Sequence, residues 1–171
     1  IKEKITGYIR QELAMIVDLE RNDLGKICTP GTVLVTENRI IEKYSHVIHT
    51  VSNIRGALSS GADWYDALHA LFPGGSITGC PKKRTMEIIR ELETEPRGVY
   101  CGSAGYIDLS GRCDFNIMIR TLWLDKSRNP NTITFRSGGG IVADSDSQKE
   151  YEETLHKAHA ILTALGYNTG V

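Results

Sequence analysis

Three consecutive glycines, Gly138-Gly139-Gly140, separate a strand-like run, Thr132-Ile133-Thr134-Phe135, from a helix carrying Glu150, Glu153 and Lys157. Spacings of i, i+3 and i+7 put those three charged side chains on one helical face, because about 3.6 residues complete a turn. Tyr151, Leu155, Ala158, Leu162 and Leu165 lie about a quarter-turn away, which predicts a charged stripe at the edge of a buried face. The glycines remove every Cβ from the approach to this helix, so bare backbone N–H groups can come close to an anion. In an ordinary strand the same glycines would only weaken it. Two carboxylates and one ammonium on a stripe can hold a divalent cation and an anion together. Glu153 and Lys157, four residues apart, also match an exposed helix-supporting pair worth roughly a few tenths of a kcal/mol.

A chain of 171 residues, 40% hydrophobic and 24% charged, can bury a core and reads as one globular domain or part of a larger one. Its formal net charge of −1 and lack of a polybasic run argue against nucleic acid or an acidic membrane surface as the main partner. No signal-like segment and no apolar run of about 18 residues is present, which predicts a cytoplasmic protein that does not span a membrane. Cys28, Cys80, Cys101 and Cys113 form no CxxC pair and no zinc spacing, so they are expected to be reduced and structural. The five histidines, His46, His49, His69, His156 and His159, include no HExxH motif.

Helical and extended periods alternate along the chain without a repeat. Leu13, Ile16, Val17 and Leu24 predict an amphipathic helix over 11–24, closed by Gly25, with Glu12 in its first turn. Two short strands, 32–36 and 40–45, are predicted around a turn at Asn38, followed by a segment of undecided state over 46–55. Trp64, Leu68 and Leu71 predict a helix over 63–72, ended by Pro73-Gly74-Gly75. Pro81 suits the first position of the next helix, where its missing N–H would be unpaired anyway. The approach to that helix, Gly74-Gly75-Ser76-Ile77-Thr78-Gly79-Cys80, is either an anion-binding loop ahead of a helix N-terminus or a simple turn capped by Thr78. It is not a Walker motif.

Beyond it, residues 99–109 and 113–124 predict a hairpin around Ser110-Gly111, with 132–136 as a third strand. On the second of these strands Asn116, Met118 and Arg120 alternate with Phe115, Ile117 and Ile119. Arg120 is therefore either an edge charge, which the local sequence favours, or a receptor whose fork pairs a carboxylate in two parallel bonds.

Several strings occur in unbroken order: 15–25 (MIVDLERNDLG), 44–49 (YSHVIH), 72–82 (FPGGSITGCPK), Tyr100-x-Gly-x-x-Gly-Tyr106, Ile119-Arg120-Thr121-Leu122 and 138–145 (GGGIVADS). Together they resemble the chorismate-binding enzymes, a family that includes anthranilate synthase component I, aminodeoxychorismate synthase component I, and the isochorismate and salicylate synthases. The resemblance runs from about Glu12 onward, and Gly-Gly-Ser-Ile-Thr-Gly at 74–79 is closest to the aminodeoxychorismate branch.

This resemblance implies an α+β fold, part of a two-sheet β-sandwich flanked by helices, with residues 1–171 forming the C-terminal portion of a domain whose N-terminal half is absent. It implies that Tyr100 and Arg120 receive the enolpyruvyl carboxylate of chorismate, while Lys157 and Gly138, Gly139 and Gly140 lie near the ring carboxylate. Mg2+ would be held by Glu12 and Glu153 with Glu150 close by, a hard cation on few carboxylates and several waters. Ser76 would contact substrate, and His49 would act as an acid or orienting group near the ring. The implied reaction converts chorismate to 4-amino-4-deoxychorismate with ammonia from a glutamine amidotransferase subunit; the alternatives are an anthranilate synthase component I or a non-catalytic fragment that only binds ligand. The lysine that carries the amine in this branch belongs to a Pro-Ile-Lys-Gly-Thr motif, which Ile1-Lys2-Glu3-Lys4 is not. Cys80 stands where the family more often has alanine, a small replacement open to oxidation.

Overall fold

The computed structural model describes residues 2–43, 48–127 and 130–167, with the backbone alone described at 2–12 and 48–49. The chain divides into two compact units, Ile1–Ile89 and Arg90–Val171. Among the described residues no helix is long and apolar enough to cross a membrane.

The first unit is built around α1, Lys2–Gly25, which packs against the later helices α2 and α3 and strand β2. The helix starts well before the predicted boundary at Gln11 and ends, as expected, at Gly25. β1, Leu34–Lys43, pairs antiparallel with β2, Ile48–Arg55, in a register running from Leu34↔Arg55 to Lys43↔Ile48. The two strands expected around Asn38 are thus one strand with an irregularity, the register shifting between Val35 and Glu37 and again between Glu37 and Ile40. Arg39 takes φ of 58° there, and its N–H donates to the Ser52 hydroxyl at 3.1 Å. A side-chain acceptor replaces the missing ladder carbonyl, so the strand continues through a bulge instead of turning. The 46–55 segment, undecided from sequence, is β2 from Ile48 onward. Tyr44 and Ser45, assigned to a strand from sequence, lie outside the described residues.

α2, Trp64–Leu71, opens on a reciprocal cap. Asp63 accepts from the N–H groups of Tyr65 at 2.8 Å and Asp66 at 3.2 Å, and Asp66 accepts from the Asp63 N–H at 3.1 Å. A single helical turn, α3 (Gly75–Thr78), leads to α4, Lys82–Leu92, so Pro81 falls one residue ahead of the helix it introduces. A Cβ on Gly75 would stand 2.8 Å from the Leu19 Cβ, so only glycine lets α3 approach α1 this closely.

The join between α1 and α4 is ionic. The Asp23 carboxylate, 3% exposed, accepts from Lys82 Nζ and from Lys26 Nζ, each at 2.6 Å. Burial alone would raise its pKa, but the hydrogen bonds from the two lysines outweigh it and hold the group below the ordinary aspartate range. Full burial of hydrophobic residues in this unit is confined, among the described residues, to Ile27 and Cys28.

The second unit contains two antiparallel ribbons and a helix. β3, Ser103–Ile107, pairs with β4, Cys113–Ile117, around the expected Ser110-Gly111 turn. β5, Leu122–Asp125, pairs with β6, Thr132–Phe135, and α5, Ser147–Ala164, follows with Asp146 as its N-cap. The predicted strand over 113–124 is therefore two strands. Arg120 sits between them at φ 53°, a left-handed conformation that a continuous ladder does not accommodate. The segment 132–136 joins β5 instead of extending the β3–β4 ribbon. On α5 the predicted apolar stripe is buried only in part: Ala158 is 6% exposed, but Tyr151 and Leu155 are 59% and 37% exposed. The mixed helix-and-strand class expected from sequence is the class observed.

Candidate functional site

α5 brings the charged stripe and the glycine run together. Ser137 Oγ donates to the Thr154 carbonyl at 2.9 Å, tying the start of the run to the middle of the helix. An added Cβ at Gly139 would stand 3.5 Å from Glu150 Oε2 and 3.7 Å from Lys157 Nζ, so the bare backbone faces both groups at contact distance. Gly138 is tighter still, since a Cβ there would lie 2.8 Å from the Tyr100 hydroxyl oxygen. Glu150 is oriented by Ser145, whose hydroxyl donates to Oε1 at 2.6 Å and accepts from the Val142 N–H at 3.1 Å. Lys157 is ion-paired with Glu153 at 2.5 Å, the lysine 30% and the glutamate 53% exposed. The helix-supporting pair and the site reading thus coexist, because the same ammonium lies beside the glycine backbone.

Tyr100 reaches this cradle from a turn after α4. Its N–H donates to the Arg97 carbonyl at 3.2 Å, and the next residue, Cys101, takes φ of 64° and donates its N–H to Met118 O at 3.0 Å. The turn is thereby locked onto the β3–β4 ribbon. Burial, with the charge and hydrogen bonding of Cys101 beside it, pushes the Tyr100 hydroxyl up to about 12, so it is an O–H donor throughout the neutral range. Arg120 is exposed in the bend between β4 and β5. Its position off the strand means that the alternation argued from sequence does not set its direction.

The loop before α4 holds a single helical turn, α3, and not the simple turn capped by Thr78. The backbone of Gly75 and Ser76, at the start of α3, lies beside the Glu20 carboxylate of α1 and favours its charged form. Burial, then the neighbouring Asp23 charge, raises the Glu20 pKa, and Lys82 with that backbone offsets this only partly. Thr78 does not cap α4; its hydroxyl donates back to the Gly74 carbonyl at 3.1 Å, within α3. Ser76 is exposed on the same turn.

Of the residues singled out from sequence, Tyr100, Gly138, Gly139, Glu150, Glu153 and Lys157 meet in the second unit, with Gly140 next in the run. Glu12 on α1 and His49 on β2 have side chains outside the described residues. Among the described residues no three His, Cys, Asp or Glu side chains group as a metal site. Glu150 and Glu153 still fit Mg2+ by donor chemistry: they are hard carboxylate oxygens one turn apart, and magnesium uses one or two such groups with several waters.

Sequence reasoning passed over the orienting role of Ser145, and Glu93 and Arg97 altogether. Glu93 and Arg97 had no readable signal, because an i,i+4 spacing brings side chains together only on a helix and α4 ends at Leu92. Buried Asp23 had a local hint in Lys26 three residues on, but its other partner, Lys82, is far away in sequence.

A family model described as chorismate binding enzyme matches residues 9–163. An anthranilate synthase component I-like protein of Synechocystis is 54% identical over 90% of this chain and 31% of its own length. Aminodeoxychorismate synthase component 1 of Bacillus subtilis is 50% identical over 91% of this chain and 32% of its own length. The crystal structure of anthranilate synthase component I from Streptococcus pneumoniae superposes with a TM-score of 0.73 at 40% identity, covering 86% of this chain and 33% of that one. The chain thus spans about a third of the length of these relatives.

Proposed function

The chain belongs to the chorismate-binding enzymes, and from that premise we propose that it carries substrate- and Mg2+-holding residues of a synthase that aminates chorismate to 4-amino-4-deoxychorismate. A glutamine amidotransferase subunit supplies the ammonia in this reading. The observation that supports it most directly is the convergence of Gly138 and Gly139 with the Tyr100 hydroxyl, the Glu150 carboxylate and the Lys157 ammonium.

Chorismate presents two carboxylates, an enolpyruvyl ether and a ring hydroxyl that must leave. Lys157, held by Glu153 until an anion competes for it, pairs with the ring carboxylate beside the Gly138–Gly140 backbone. Tyr100, protonated at neutral pH, donates its O–H to the enolpyruvyl carboxylate, and the Arg120 fork serves the same group. Glu153, with Glu12 and with Glu150 close by, would hold Mg2+, which would supply positive charge against the oxygen anions of the substrate. Fixed donors of this kind favour the transition state because they need no reorganisation as charge develops.

Gly138→Ala tests the cradle. Its Cβ would displace the Tyr100 hydroxyl, and the expected result is a KM for chorismate raised about ten-fold or more, the loss of one charge-assisted hydrogen bond. Gly139→Ala, where a Cβ meets only ordinary contact distances, is expected to keep its fold and to lose less affinity.

A second product, anthranilate, is favoured by the name of the Synechocystis relative, while the Gly-Gly-Ser-Ile-Thr-Gly loop at 74–79 favours aminodeoxychorismate. Mass-spectrometric product analysis of the full-length protein with chorismate, Mg2+ and ammonia decides between them. Aminodeoxychorismate is the expected product, anthranilate moves the protein to the neighbouring branch, and absence of both chorismate binding and turnover overturns the reading.

A further inference from the structure

Arg97 stacks on the tyrosine of the site without touching the cradle itself. Its guanidinium carbon lies 5.9 Å from the centroid of the Tyr100 ring, within reach of a cation–π contact. Glu93 grips that guanidinium from two directions: Arg97 Nε donates to Oε2 at 2.9 Å, and Nη2 donates to Oε1 at 2.6 Å. A fork of this type fixes orientation as well as position. The clamp does not reinforce a helix, since α4 ends at Leu92 and the intervening Thr94-Glu95-Pro96 is not helical. It closes the short link between α4 and the Tyr100 turn. The second ion pair in the same link, Arg136 Nη2 to Glu95 Oε2 at 3.0 Å, ties it to the residue that follows β6 and precedes Ser137 of the glycine run.

We propose that Arg97 is a positioning residue for Tyr100: gripped by Glu93, it braces the tyrosine ring so that the hydroxyl stays against Gly138, where a substrate carboxylate is received. The proposal rests on the chorismate reading of this site. It makes Arg97 act through the ring and never on substrate, so its effect must disappear once the Tyr100 hydroxyl is gone.

The test is a double-mutant cycle in the full-length protein, reading KM and kcat for chorismate with Mg2+ and ammonia. Tyr100→Phe is expected to raise KM about ten-fold. Arg97→Met, which keeps the stem and removes the fork, is expected to raise KM about three- to five-fold with kcat little changed. The double variant is expected to match Tyr100→Phe alone, the non-additivity of groups acting in series. Arg97→Lys, which retains charge but not the two-point grip, is expected to restore only part of the loss. Glu93→Gln, which weakens the grip and leaves the Arg97 stem in place, gives the same reading through a second residue if Arg97→Met does not fold. Effects of Arg97→Met and Tyr100→Phe that add, or an unchanged KM in both Arg97→Met and Glu93→Gln while Tyr100→Phe raises it, overturn the positioning role alone. An unchanged KM in Tyr100→Phe overturns the reading of the site beneath it as well.

Discussion

Lys157→Ala in the full-length protein is expected to lower kcat/KM for chorismate by about 10²- to 10³-fold, the range found when one fixed donor to a developing oxyanion is removed. The expectation comes from where the ammonium sits. It is 30% exposed, paired with Glu153, and 3.7 Å from the point where a Cβ on Gly139 would begin. A cation in that setting is partly desolvated, so its attraction for a carboxylate exceeds that of a surface lysine. Glu153→Gln separates the two jobs of the stripe. It releases Lys157 from its partner, and it is expected to raise the Mg2+ concentration needed for half-maximal rate about ten-fold or more, at least the cost of losing an outer partner of a metal ligand. Steady-state kinetics over a Mg2+ titration measures both effects. A Lys157→Ala enzyme with unchanged kcat/KM would show that the pair with Glu153 is only a helix support.

Asp23→Ala is expected to destabilise the fold by about 3 kcal/mol or more, the range for breaking a buried ion pair from one side. Two lysines meet on that carboxylate at 2.6 Å each, and its side chain is 3% exposed. Removing it leaves the Lys82 ammonium, 25% exposed, without the anion that holds α4 on α1. Lys82→Met costs less, because Lys26 stays on Asp23. The sign of the pH dependence follows from the pKa. The folded-state carboxyl is held below the ordinary aspartate value of about 4, so its contribution is fully present above that pH. It is lost as pH falls through the folded value, and the gap between wild type and Asp23→Asn closes there. Urea denaturation at neutral pH and again at acid pH checks the magnitude and the window. A gap that widens on acidification would refute the assigned pKa direction.

Both predictions use residues whose part in the molecule was unequally visible in the primary structure. The stripe Glu150, Glu153, Lys157 is a matter of helical spacing, and spacing is local, so it could be read before any fold was known. The resemblance carried by the ordered strings pointed to the family for a similar reason: short motifs keep their order and spacing in the chain whatever surrounds them. Helix ends at Gly25 and the cap ahead of α2 follow from side-chain chemistry within a few residues.

What the linear pattern did not carry was decided by partners far away in the chain. Alternation predicted one strand through Arg120, but a left-handed φ of 53° at that residue ends the ladder and lets β5 pair with β6 instead. A turn signal at Asn38 was overridden because the Ser52 hydroxyl on the opposite strand accepts the Arg39 N–H. The glycine-rich loop at 74–80 had the composition of an anion site, and only the fold shows that the Glu20 carboxylate of α1 lies beside its Gly75–Ser76 backbone. Tyr100 and Gly138 are adjacent only because the turn after α4 and the run after β6 arrive at the same place, and a Cβ at residue 138 would exclude that approach. Residue types and periods thus determined the helix end at Gly25, the α2 helix, the charged stripe and the family. The tertiary structure determined which charge each donor meets, because electrostatic and hydrogen-bond energies depend on separation in space and not along the chain.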